Sequence, residues 1–335
     1  MSYAISKIWP FEGWKRKAQA ARAIGWAAIG VNIIAAATYN PFAKLLTDHL
    51  SSLSLLLLSE VLSALFILMS FGAVPILKAL ASTKKKDILP LLWIGLATGA
   101  AAPLLWFSGV HNTTAVNSTL FTTSEMVFLI LLAVPILHER FTGVHLLSVL
   151  TISLGIFTIA LRGFSDGLHF QGGDLLLLAS GFLFSSGSIV FRRFLHKSDP
   201  QVVLFVRSAT GVMAFFLLSP FFQEPLIQQG ASFPWAQVLP VLLGFAFISR
   251  FLNSFSFFVS IERLPVGTVS LMSNLSLVVG IALSCWLLQE PIETYHIVGG
   301  AFVILGTLML EMVGVHWTPR HVAVHVADRK LLRRS

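Results

Sequence analysis

The sequence contains the same pattern twice, and this duplication constrains the fold most. An apolar segment from Asn117 to Leu137 ends in His138-Glu139-Arg140, and a second one from Thr268 to Leu288 ends in Gln289-Glu290-Pro291. Each half of the chain holds five apolar spans. Because five crossings end on the opposite side of a bilayer, the second half must insert upside down relative to the first. Two inverted copies with a site between them are typical of secondary transporters.

The spans predict an all-α membrane protein with ten transmembrane helices in two inverted five-helix repeats. A crossing needs about 20 apolar residues, and lipid tolerates only helices or closed barrels, whose short alternating strands are not seen here. Only 11% of residues are charged, against about 25% in soluble proteins. The predicted spans are Ala23–Leu46, Leu53–Leu77, Ile88–Val110, Ala115–Leu137, Val144–Leu161, Leu175–Phe194, Val202–Phe222, Val238–Ile261, Val266–Leu288 and His296–Val315.

Basic residues predict the orientation. They concentrate before the first span, in the loops after even-numbered spans and in the tail, whereas the other loops contain only Lys44 and Arg162. The positive-inside rule then places both termini in the cytoplasm. It also explains the net charge of +8 without nucleic-acid binding. The domains follow as a basic N-terminal segment (1–22), two repeats (23–161 and 162–315) and a basic tail (316–335).

Several kinds of chemistry lack their residues in this sequence. The dipeptide Gly-Lys is absent, so there is no Walker A loop, and no GxGxxG opens a helix. Cys285 is the only cysteine and lies inside an apolar span. The motif at Glu139 lacks the second histidine of a zinc protease. We therefore expect no cofactor, no metal and no enzymatic activity.

Four charges lie inside predicted spans, Glu60 and Glu125 in the first half and Arg207 and Arg250 in the second. Each costs about 2.5–3.5 kcal/mol at the centre of a bilayer, so each should face the interior and find a partner. Opposite signs on opposing copies leave two interpretations open. The charges either lock the halves together through salt bridges or bind a substrate that carries both charges. Arg207 lies near the inner end of its span, where an inner-side or purely structural ion pair is expected.

Polar residues around Glu125 suggest a cavity wall. Ser118 and Thr122 form a stripe with it that either lines a cavity or joins helices. Its counterpart in the second repeat is Ser276. Tyr39-Asn40-Pro41 predicts a kink in the first span, because Pro41 has no backbone donor. The substrate-cavity candidates are Glu60, Glu125, Arg250, Tyr39, Asn40, Trp106, Ser118, Thr122 and Asn274, with Glu125 also a candidate for proton coupling.

The chain resembles the EamA-type members of the drug/metabolite transporter superfamily. The resemblance rests on the two five-span copies, the endings at Glu139 and Glu290, and Gly155 and Gly306 in the spans that follow. It implies that helices 1–4 and 6–9 enclose a central cavity, with helices 5 and 10 outside it. Family activities include export of amino acids, other metabolites and toxic compounds, sometimes coupled to protons and sometimes by exchange.

The chain departs from the family pattern at two cavity positions. Members often carry arginine in the second span and proline in the middle of the fourth, where this sequence has Glu60 and Glu125. The departure favours a cationic or zwitterionic substrate, or proton coupling through Glu125.

These observations predict a secondary active or facilitative transporter. It would export a small organic metabolite, amino acid or drug by alternating access, in the plasma (inner) membrane, as a monomer or homodimer. The alternative is a non-transporting membrane subunit or a lipid-handling partner protein. A sealed, fully salt-bridged interior without a cavity of substrate size would favour that alternative.

Overall fold

The computed structural model describes residues 11–137, 142–161, 172–195, 198–222, 234–264, 269 and 272–315. Within these ranges the chain is helical and contains no strand. The helices are α1 (Phe11–Ala37 and Tyr39–Thr47), α2 (Ser52–Phe71), α3 (Lys85–Ile94, Gly95–Ala101 and Ala102–His111), α4 (Ala115–Phe121 and Ser124–Leu137), α5 (Gly143–Ala160), α6 (Gly172–Val190 and Phe191–Leu195), α7 (Pro200–Phe222), α8 (Trp235–Gly244, Phe245–Leu252 and Asn253–Arg263), α9 (Leu275–Leu288) and α10 (Thr294–Val315). A short helix, Ala73–Ala81, connects α2 to α3.

Eight helical segments, one in each of α1–α8, are long and apolar enough to cross a membrane. Two shorter apolar stretches, Leu275–Leu288 and Thr294–Met309, belong to α9 and α10. The chain is therefore a multi-pass helical membrane protein. Helix α1 begins at Phe11, inside the N-terminal segment predicted to precede the first span. Residues 1–10, the motif 138–140 and the basic tail 316–335 lie outside the described residues.

The contacts between helices repeat when the two halves are exchanged. Helix α1 packs on α8 and α9, and the equivalent helix of the second half, α6, packs on α3 and α4. The pairs α2 with α7, α4 with α9 and α5 with α10 each join equivalent helices. The two repeats predicted from the sequence are thus arranged with the pairing of a twofold-related bundle.

Glycines allow α5 and α10 to pack closely. A Cβ atom added to Gly155 would lie 2.9 Å from the backbone nitrogen of Val303, and one added to Gly306 would lie 2.9 Å from that of Ile152. Such distances leave room only for hydrogen, as in other close helix pairs in membranes. The two glycines that mark the repeat in the sequence therefore join its halves.

Three helices that approach the centre of the bundle are interrupted. Helix α1 is interrupted at Thr38, three residues before Pro41, where the sequence predicts a kink. Helix α4 breaks at Thr122 and Thr123, where the amides of Thr123, Glu125 and Met126 bond to carbonyls three residues earlier rather than four. Met272 and Ser273 are helical and Asn274, the repeat counterpart of Thr123, is a turn, so the helix is interrupted there before α9 continues from Leu275. The break in the fourth helix is thus present in both halves.

Both third helices of the repeats contain a π-helical segment, Gly95–Ala101 in α3 and Phe245–Leu252 in α8. Such segments are rare and often occur at functional sites. In α3 the segment packs on α7: a Cβ atom at Gly99 would lie 2.9 Å from the Cα of Arg207. The segment in α8 carries Arg250. Each π-helix therefore positions one of the intramembrane arginines.

One end of the bundle is sealed by apolar packing, and we call it the closed end. It is the end at which α1 and α3 finish and α2 and α4 begin. Six aliphatic side chains there are at most 1% exposed, namely Leu46, Leu50, Leu55, Leu56, Val110 and Val116. Lys44 adds hydrogen bonds to the carbonyls of Val110 (3.2 Å) and His111 (2.9 Å).

Candidate functional site

A cavity of about 600 Å³ lies at the centre of the bundle. Its lining residues come from α1–α4 and α6–α9, and none of the described lining residues belongs to α5 or α10. This is the arrangement that the family resemblance implies. The volume falls within the range of about 300–1,000 Å³ that is usual for small-molecule sites.

The cavity extends away from the closed end. On that side its lining reaches Phe71, the last residue of α2, and Leu204, in the second turn of α7. Toward the closed end the lining stops at Asn40, Trp106 and Thr119. The structure therefore presents one central cavity with a sealed end and an accessible end.

Glu60 and Arg250 form an ion pair between the two halves. Arg250 Nη2 donates to Glu60 Oε1, and Arg250 Nη1 donates to Ser59 Oγ at 3.0 Å. The side chain of Glu60 is 1% exposed and that of Arg250 is 11% exposed. Glu60 Oε2 faces no hydrogen-bond partner among the described residues. Of the pairings considered from the sequence, this is the one that forms.

Arg207 lies on the cavity wall rather than at the inner surface. Its Nη2 donates to the carbonyl of Thr98 at 3.4 Å, and its Nε is buried without a hydrogen-bond partner in the described part of the chain. The guanidinium interacts electrostatically with the carboxylates of Glu60 and Glu125. Within the described residues, the structure gives Arg207 no ion pair closer than 4.0 Å. The expected inner-side ion pair does not appear there; this turn of α7 packs directly on α3, since a Cβ atom at Gly99 would lie 2.9 Å from the Cα of Arg207.

Glu125 also lines the cavity, in the first turn of the second segment of α4. Ser188 Oγ donates to its Oε1 at 3.5 Å, and Ser185 Oγ donates to its backbone carbonyl at 2.7 Å. The carboxylate lies beside the break in α4, where the amide of Glu125 donates to the carbonyl of Thr122 at 3.3 Å. The cavity therefore has one guanidinium and one carboxylate that are not paired with each other.

The wall nearest the closed end is held by a chain of hydrogen bonds. Trp106 Nε1 donates to Asn40 Oδ1 at 3.1 Å, and Asn40 Nδ2 donates to Thr119 Oγ1 at 3.2 Å. The Tyr39 ring packs on Phe245, with centroids 5.0 Å apart. All these residues except Phe245 line the cavity. They form its fixed polar and aromatic floor.

Ser118 is the candidate that the structure places elsewhere. It is fully buried, and its Oγ donates to the carbonyls of Thr114 (3.0 Å) and Ala115 (3.1 Å). The predicted stripe assumed a continuous helix, but α4 is interrupted between Ser118 and Glu125, so regular helical spacing does not hold across it. Thr119, rather than Ser118, belongs to the lining, together with Thr122 and Asn274.

Several polar lining residues on α2, α7 and α8 were not predicted from the sequence. They are Ser63, Ser208, Ser249, Asn253 and Ser254. Ser63 and Asn253 each follow a charged lining residue by three positions, the spacing of neighbours on one helical face. Extending a stripe from each intramembrane charge would have found both. Among the described residues, no group of three histidine, cysteine or acidic side chains could hold a metal ion.

Comparisons with known proteins agree with this architecture. The EamA-like transporter family model matches residues 23–161 and 171–312, which correspond to the two repeats. A protein described as an uncharacterized transporter from Methanothermobacter thermautotrophicus is 27% identical over 237 residues, covering 70% of this chain and 67% of its own length. The uncharacterized transporter YyaM of Bacillus subtilis is 23% identical over 230 residues, covering 68% and 74%.

A solved crystal structure shares the fold. It superposes with a TM-score of 0.55 at 14% identity, covering 90% of this chain and 99% of the other. The family match spans both repeats, and the relatives carry transporter names. The chain belongs to the EamA-like transporter family.

Proposed function

We propose that this protein is a secondary transporter that exports a small organic metabolite by alternating access. The observation that supports this most is the cavity between the two halves, sealed at one end and accessible at the other. A carrier needs a site that opens to one side at a time, and twofold-related halves can exchange roles to open it to the other. Transport involves no covalent chemistry, so no enzymatic role is proposed.

The charges of the cavity point to a substrate that carries both a cation and an anion. Glu60 and Arg250 neutralise each other, which leaves Arg207 and Glu125 to face the substrate. Arg207 can bind a carboxylate through its guanidinium, and Glu125 can bind an ammonium group. Tyr39, Asn40, Trp106, Thr122 and Asn274 would contact the rest of the molecule. An amino acid or a similar zwitterion fits this set.

The alternative interpretation, a purely structural lock between the halves, applies to one pair only. The Glu60–Arg250 ion pair has the geometry of such a lock. A non-transporting membrane subunit would be favoured by a sealed interior in which all four charges were paired. A cavity of about 600 Å³ with Arg207 and Glu125 on its wall supports transport instead.

We also propose the membrane topology predicted from the sequence. Ten crossings with both termini in the cytoplasm would make the accessible end of the cavity cytoplasmic, because α2 ends and α7 begins there. Substrate would then load from the cytoplasm, the direction required of an exporter in the plasma membrane.

Reconstitution into liposomes tests the function and the role of Glu125 together. Liposomes that contain the purified protein are loaded with a panel of labelled amino acids and amines. Flux out of the liposomes is measured with and without a pH gradient. We expect Glu125→Gln to abolish gradient-driven flux while exchange of substrate continues, because exchange requires no proton movement. Glu293→Gln, which removes one charge from a loop residue outside the cavity lining, is the control. Unchanged driven flux in Glu125→Gln would refute proton coupling, and no flux of any compound would count against transport.

A further inference from the structure

We propose that Glu290, together with His296, forms a latch that holds the closed end of the cavity shut. The latch consists of hydrogen bonds from the α9–α10 connection and the first turn of α10 to the first turn of α4. This inference rests on the proposed transport function, since a carrier must be able to open the end that is closed here. Neither residue lines the cavity.

The carboxylate of Glu290 binds the beginning of α4. Its Oε1 accepts a hydrogen bond from the backbone amide of Ala115 at 2.8 Å, and its Oε2 accepts one from Val116 at 2.9 Å. These amides belong to the first turn of the helix and have no carbonyl partner within it. Hydrogen bonds to a charged acceptor are stronger than those between neutral groups. Glu290 thus makes a two-point attachment between the second half and the first.

His296 makes a second attachment to the same turn. Its Nδ1 accepts a hydrogen bond from the backbone amide of Glu293 at 3.0 Å, so in the neutral ring Nε2 carries the proton. That Nε2 donates to Asn117 Oδ1 at 2.9 Å. His296 is 6% exposed and Asn117 4% exposed, so water competes little for this bond.

The attachment continues into a third helix. Asn117 Nδ2 donates to Thr113 Oγ1 at 3.3 Å, and Thr113 Oγ1 donates to Asp174 Oδ1 at 3.0 Å. Asp174 lies in the first turn of α6 and is 1% exposed. A continuous set of hydrogen bonds therefore joins α10, α4 and α6 at the closed end.

Comparison of the two repeats separates the latch from ordinary helix capping. His145, the counterpart of His296, caps α5 in the same way, with its Nδ1 accepting from the amide of Thr142 at 3.2 Å. The cap is thus a local feature of both repeats. The bonds from Glu290 to α4 and from His296 to Asn117 instead connect one half to the other. Opening the closed end separates α4 from the α9–α10 connection, so these bonds must break.

Accessibility of a single cysteine tests the latch without any substrate. In a Cys285→Ala background, Thr122→Cys places a thiol on an exposed side chain of the cavity wall. A membrane-impermeant maleimide is applied to either side of sealed vesicles, and the slower side identifies the closed end. Glu290→Gln and Asn117→Leu are the latch variants. Glu293→Gln is the matched control, because it removes one charge from the same loop and keeps the backbone amide that binds His296.

We expect labelling from the closed end to accelerate about tenfold or more in both latch variants and to stay unchanged in the control. Equal rates in the latch variants and the parent, or the same acceleration in Glu293→Gln, would overturn the proposal. Misfolded protein would label equally fast from both sides and would elute as aggregate. If both latch variants behaved in this way, the hydrogen bonds would be needed for folding, and the proposal would be rejected. Because no substrate is used, failure here would leave transport untouched, and absent transport would leave a positive labelling result standing.

Discussion

Removing Arg250 should destabilise the protein chiefly through the carboxylate that it leaves behind. Glu60 is 1% exposed, its Oε1 depends on Arg250, and its Oε2 already has no hydrogen-bond partner among the described residues. Breaking a buried pair by removing one partner costs about 3–5 kcal/mol. At about 2 °C per kcal/mol, the low end for large domains, Arg250→Met should lower the thermal midpoint by about 6–10 °C.

The double variant Glu60→Leu/Arg250→Met should regain most of this loss. Replacing a buried ion pair by apolar residues is often close to neutral, because neither member of the pair is left behind without its partner. Thermal unfolding of the detergent-purified variants, followed by loss of the monodisperse chromatographic peak, measures the difference. Lys86→Gln, at an exposed position in the first turn of α3, controls for the loss of a positive charge. If the double variant were no more stable than Arg250→Met, the reasoning about the uncompensated carboxylate would be wrong.

Three further predictions concern the packing and lining of the cavity. Gly99→Ala should cost about 1–3 kcal/mol of stability by thermal unfolding, because its Cβ would lie 2.9 Å from the Cα of Arg207. Gly30→Ala, whose Cβ would meet nothing within 4 Å, should be neutral or slightly stabilising, and an equal loss would contradict this packing argument. In a flux assay, Thr122→Val should change the KM for substrate, whereas Ser118→Ala should leave it unchanged. The reverse result would show that Ser118, and not Thr122, contributes to the substrate site. Arg207→Gln should weaken competition by carboxylate-bearing substrates more than by amines lacking a carboxylate; equal weakening would argue against anion recognition by this guanidinium.

The sequence was sufficient to predict the helices and the repeat because both depend on local hydrophobicity. Apolar spans must be helical in lipid. The matching segments that end before Glu139 and Glu290 are α4 and α9, and these two helices contact each other in the structure. The interruption of α1 near Pro41 was predictable for the same reason, since a proline removes a backbone donor wherever it lies.

The partners of the intramembrane charges could not be predicted, because they depend on how the helices cross. Glu60 could have met Arg207 or Arg250, and only the structure shows that it pairs with Arg250, which lies in the π-helical segment of α8. Ser118 was wrongly expected in the cavity because the sequence does not predict the break in α4, apart from the neighbouring hydroxyl residues. The contact of Glu290 with the start of α4 depends on tertiary packing, so only the structure shows which helix this residue caps.

The most direct test of transport through this cavity compares metabolites inside and outside cells that carry the wild-type gene, no gene, Glu125→Gln or Arg207→Gln. The account predicts at least one zwitterionic compound whose external amount rises with the wild-type protein and returns to the level without the gene in both variants, at equal membrane expression. No difference between cells with and without the gene, or the same export by the two variants as by the wild-type protein, would contradict it.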